Sequence, residues 1–165
     1  MKTSSAIAHF QSRSGKKRTK YVKLSVCALA GSLIPSGLAV SWGPCNDKTE
    51  APEVPSKATT SSQPKTHFAD AGYDADCVYQ FCREDWQVES VINPAVHRAD
   101  VRLNGKYRSE MKVESLKAKE YGRRWLVESY MSGLKRTTGH ALSARSERSL
   151  FVEAALRVLA YALRR

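Results

Sequence analysis

Charge of one sign is missing from the start of this chain: residues 1–41 hold seven Lys or Arg and no Asp or Glu. After Lys23, charge of either sign is absent until Asp47. Large apolar side chains are scarce between Asp47 and His67, which excludes a packed core there. Closely spaced Cys and His pairs are also lacking, and His67 and His97 are not placed to complete a zinc site, so no zinc is expected. No internal repeat is visible, and 165 residues leave room for one domain with a core rather than two.

What is present begins with positive charge. The formal charge of +11 invites a nucleic-acid reading, but it is unevenly placed. Residues 42–94 carry four basic and nine acidic groups, whereas residues 95–165 carry sixteen and seven. A basic half can meet nucleic acid or an acidic cell-wall polymer, and charge alone does not choose.

The N-terminus reads as an address. Lys2, Arg13, Lys16, Lys17, Arg18, Lys20 and Lys23 form a basic leader, and Leu24 to Ile34 follows as an apolar core. Pro35 and Gly37 break it, and Ala39-Val40-Ser41 offers the small-x-small pattern of a cleavage site. The expectation is a signal peptide over residues 1–41, or an uncleaved N-terminal anchor as the only membrane contact. A Pro/Ser/Thr-rich tether over 42–70 and a mostly helical domain over 71–165 complete the organisation. Export to the periplasm conflicts with a nucleic-acid partner, so none is expected. In an oxidising compartment Cys45, Cys77 and Cys82 are disulfide candidates. On a regular helix Cys77 and Cys82 would lie ~140° out of phase and ~7.5 Å apart along the axis, which is hard to bridge, whereas Cys45 could reach either. The other reading is small buried thiols.

The expected fold class is mainly α with a minor β hairpin. Asp74 or Asp76 can cap a helix running to about Ile92, which Asn93-Pro94 ends. Asn104-Gly105 is a strong hairpin signal after the alternation Ala99 to Leu103. A second helix spans about Ser109 to Leu134, with Met111, Val113, Leu116, Tyr121, Trp125, Leu126 and Tyr130 inward and Gly122 as a divider. Thr137-Thr138-Gly139 is a break. The last helix, about Ser146 to Leu163, is apolar around most of its circumference and is expected at the centre of the core. Glu153 and Arg157, four apart, can pair across its surface.

The stretch singled out for chemistry is Asp85 to Val96, where Glu89-Ser90 sits among apolar residues before Asn93-Pro94. A carboxyl desolvated by Trp86, Val88, Val91 and Ile92 would be held protonated near neutrality, as a general acid needs. This run resembles the Glu-Ser-x-x-Asn-Pro signature of lytic transglycosylases, in particular the small ones that accompany secretion, pilus and conjugation systems. Asp76-Cys77 is similar to the pair that opens that domain, and Asn104-Gly105 to its loop. In the second motif Met111 and Ser115 match, while Ser109 and Lys112 stand where that family has glycine and glutamine. The resemblance covers about residues 74–115. It implies a lysozyme-like fold and cleavage of peptidoglycan glycan strands between N-acetylmuramic acid and N-acetylglucosamine. Glu89 would be the single acid/base, needing no metal or other cofactor, with Ser90, Asn93, Met111 and Tyr161 on the substrate, and secretion or conjugation machinery as partner. The alternative is a non-catalytic periplasmic envelope protein, an adaptor or immunity-type binder.

Overall fold

An alternation of side chains from Tyr21 to Ala28 sets the middle of the structure. The computed structural model describes residues 4–6, 21–44, 64–95 and 103–165. Strand β2 (Tyr21–Ala28) pairs antiparallel with β1 (Ser4–Ala6) on one side and β3 (Pro35–Gly43) on the other. Val22, Leu24 and Val26 point one way, into an apolar cluster with Tyr130, Met131, Leu134, Ala154 and Val158. Cys27 and Ala28 belong to the other cluster, with Phe68, Val78, Val91 and Ile92. From Val22 to Ala28 every residue is buried, which makes β2 a strand covered on both faces.

This is the segment expected as the core of an export signal. A short apolar run fits a fully buried strand as well as a helix, and the β-branched Val22, Val26 and Val40 favour the strand. The link between β2 and β3 is closed by the Leu29 N–H on the Ile34 carbonyl at 2.9 Å and the Leu33 N–H on the Leu29 carbonyl at 2.8 Å.

The second sheet is a parallel pair, β4 (Thr66–Ala69) and β5 (Glu89–Ile92), in register Thr66–Glu89, His67–Ser90, Phe68–Val91 and Ala69–Ile92. Parallel strands need a crossover. Here it runs through a short turn (Ala71–Tyr73) and helix α1 (Asp76–Gln80), which continues as a π turn over Phe81–Asp85. The helix expected to reach Ile92 therefore stops early. Gln87 takes a left-handed φ of 56°, and Val88 to Ile92, rich in β-branched residues, leaves as a strand. Asp74 does not cap α1, and Ala75 precedes it without a side-chain bond.

Three further helices follow: α2 (Val113–Ala118), α3 (Trp125–Thr138) and α4 (Glu147–Arg164). The long second helix is divided near Gly122 by a tight turn over Tyr121–Arg124. On α3, Val127, Tyr130, Met131 and Leu134 are buried at spacings of three and four, one face of a helix. It ends at Gly139, whose φ of 85° suits glycine. Ser146 caps α4 by accepting the Ser149 N–H at 3.2 Å. Gly105 sits in a turn with φ 104°, and most of the strand expected before it lies outside the described residues.

The placement of α4 corrects the expectation that it is central. Only Ala154 and Val158 are buried, while Val152, Leu156, Leu159 and Leu163 are 50, 56, 53 and 80% exposed. An apolar circumference does not fix burial when only one side of the helix meets the sheet. The protein is a small single domain of mixed α and β structure, with about half of the described residues helical.

Candidate functional site

The two parallel strands stop level with each other. Ala69 pairs with Ile92, so Asp70 and Asn93 follow side by side at the carboxyl edge of the pair. In open sheets of parallel strands, ligands bind in the crevice outside that edge. Asp70 caps the turn after β4, its Oδ1 accepting the Gly72 N–H at 2.9 Å. Asn93 is exposed.

Tyr121 begins the tight turn that feeds α3, so the chain brings that helix start against the strand ends. Burial pushes the Tyr121 phenol above its ordinary value. The Arg124 guanidinium pulls it down, the Asp70 carboxylate pushes it up, the Asn93 backbone bond lowers it, and the Glu128 carboxylate raises it. One phenol thus feels charges from the end of β4, from the turn and from the first turn of α3. Glu128 and Arg124 form an ion pair at 2.5 Å, with the arginine side chain 23% and the glutamate side chain 55% exposed. Trp125, beside them, is exposed. Among the described residues no group of three or more His, Cys, Asp or Glu is placed to hold a metal ion.

The residues singled out in the sequence lie elsewhere, with one exception. Glu89 is the first residue of β5, at the opposite end of the strand from Asn93, and its Oε1 meets Lys119 Nζ at 2.9 Å. It stands on a strand, not one turn from a helix end. Ser90 is wholly buried, its Oγ accepting Arg83 Nε–H at 3.1 Å. Met111 is core, and Tyr161 packs edge-on to Tyr130 with ring centroids 5.2 Å apart. Of the set Glu89, Ser90, Asn93, Met111 and Tyr161, only Asn93 reaches the strand-end site. Cys77 and Cys82 are free thiols, the first exposed and the second buried, where desolvation pushes it up to about 12; Cys45 lies outside the described residues.

Sequence reasoning missed Asp70, Tyr121, Arg124 and Glu128 as a group. Two signals were available: an apolar pair, Phe68-Ala69, closing on Asp70, and the spacing of Tyr121, Arg124 and Glu128 on one face of a helical stretch.

Compared with known proteins, the chain matches no curated protein and no solved structure. The sequence model of one family, described as Transposase DDE domain, matches residues 2–163. That match overturns the resemblance to lytic transglycosylases, and with it peptidoglycan as substrate and secretion or conjugation machinery as partner. It also runs against the non-catalytic envelope alternative and against the exclusion of nucleic acid, since a transposase points to DNA as partner. The physical reason for the misreading is local: Glu-Ser before Asn-Pro is a strand start and a strand exit here, not a helix end. Matched from residue 2 to residue 163, the chain belongs to the Transposase DDE domain family.

Proposed function

We propose that this chain acts on DNA in transposition, with the strand-end site built from Asp70, Asn93, Tyr121, Arg124 and Glu128 as the place where a phosphodiester is handled. The observation that carries this reading is the family match over residues 2–163, beside which Asp70 at the end of β4 and Glu128 in the first turn of α3 are two carboxylates whose charge acts on the Tyr121 phenol.

The chemistry agrees with the residue types. Arginine matches the oxygens of a phosphate in a fork, so Arg124 can trade its bond to Glu128 for one to a DNA phosphate. Freed of Arg124, Glu128 can take a proton from an attacking hydroxyl. The exposed Trp125 offers a face on which an unpaired base can stack. The sixteen basic groups of residues 95–165 supply backbone attraction. Carboxylates are hard ligands suited to Mg²⁺, which often clamps the attacking and leaving oxygens of a phosphodiester. Asp70 and Glu128 alone do not complete such a site among the described residues.

Duplex DNA titrated into the full chain tests this reading. Binding that weakens linearly in log salt supports it. Absence of binding at low salt removes it.

A further inference from the structure

Four residues after Asp70, a second aspartate is buried where the chain could have left a helix cap. The Asp74 side chain is 3% exposed. Its Oδ1 accepts Arg108 Nε–H at 2.8 Å and the Tyr79 hydroxyl at 3.2 Å. Its Oδ2 accepts Arg108 Nη2–H at 2.8 Å and the Ala95 N–H at 2.7 Å. Arg108 Nη2 also donates to the Ala95 carbonyl at 3.3 Å, and the single Tyr79 hydroxyl proton is shared between Asp74 and the Ile92 carbonyl, 3.4 Å away. A forked arginine on a buried carboxylate is a rigid, charge-assisted contact.

The three segments joined in this way are those that lead out of the site. Asp70 opens the turn after β4 and Asp74 closes it. Ala95 lies two residues beyond Asn93, which follows the end of β5. Arg108 comes from the stretch that leads to α2. Asp74 is buried and engaged by Arg108, Tyr79 and Ala95, so it supports the strand exits rather than facing a ligand.

We propose that Asp74 and Arg108 are positioning residues, which lock the exit of β4 to the exit of β5 and so fix Asp70 against Asn93 and Tyr121 for DNA chemistry. This rests on the proposed function and names two further residues of the same site. Burial raises the Asp74 carboxyl, but the Arg108 and Ala95 bonds outweigh it and hold the group below its ordinary value, so the pair stays charged wherever the protein works.

The test compares DNA affinity with single-turnover strand cleavage for the full chain and its Asp74→Asn, Arg108→Lys and Asp70→Asn variants, with folding followed by circular dichroism. Asp74→Asn is expected to bind DNA within twofold of the parent and to cleave it at least tenfold more slowly. Arg108→Lys, which keeps the charge and loses the fork, should fall between. If both fold and cleave at the parent rate while Asp70→Asn is inactive, the inference fails and the proposed function stands. If the parent neither binds nor cleaves DNA, both fail. Should Asp74→Asn not fold, Tyr79→Phe decides, because it removes one donor to the carboxylate and leaves its charge partner. A slower cleavage with unchanged affinity supports the inference, and an unchanged rate overturns it.

Discussion

Arg124 and Glu128 lie one helical turn apart at the start of α3, ion-paired at 2.5 Å. A partly exposed pair at this spacing is worth only about 0.3–0.5 kcal/mol, so holding the helix is a minor part of what it does. If Arg124 serves a phosphate, Arg124→Gln should leave the melting temperature within a few degrees. It should reduce the slope of log affinity against log salt by about one unit. A DNA titration at several salt concentrations measures that slope.

His67 gives the protein a pH limit on its acid side. The ring is buried, edge-on to Trp86 with centroids 5.5 Å apart, and burial holds its pKa well below the ordinary value of 6.5. The folded state therefore keeps His67 neutral while the unfolded state takes up a proton as pH falls through 6.5. Stability is full above that pH and declines below it, down to the lowered folded value. Denaturant melts at pH 7.5, 6.5 and 5.5 should show the decline for the parent. His67→Gln should show less of it.

The outer face of α4 should tolerate charge. Leu156→Asp and Leu159→Asp place a carboxylate on exposed positions and should change stability by about 0.5 kcal/mol or less. Val158→Asp, by contrast, buries an unpaired carboxylate against β2 and should cost several kcal/mol, enough to unfold a domain of ordinary stability. Thermal melts of the three variants distinguish a peripheral α4 from a central one.

Glu89 should contribute modestly to stability through Lys119. Its side chain is 37% exposed, so Glu89→Gln should cost about 0–1 kcal/mol and leave DNA cleavage within twofold. A large loss of cleavage would show that the β5 N-terminal edge belongs to the working site.

Much of the fold was legible where local chemistry decides it. Ser146 as a helix start, the break at Thr137-Thr138-Gly139, the division near Gly122 and the Glu153–Arg157 pair, found at 2.6 Å, each follow from a few adjacent residues. The strands were not legible, because Leu24 to Ile34 and Val88 to Ile92 are short apolar runs whose period does not separate strand from helix. The site was hidden for a related reason. Asp70, Tyr121 and Glu128 come from separate elements, the end of β4, the turn before α3 and the first turn of α3, and Asp70 sat at the end of a stretch read as a tether. Glu-Ser before Asn-Pro, in contrast, drew attention because its residues are adjacent.

The most direct measurement is strand cleavage by the full chain with Asp70→Asn and Glu128→Gln, each on DNA bound to saturation. Both substitutions keep side-chain volume and remove a carboxylate. Each should lower the cleavage rate by about 10²–10⁴-fold or more, the range for a lost acid–base group, while affinity stays within a few-fold. A cleavage rate that survives either substitution, with DNA still bound, would contradict the assignment of the strand-end site.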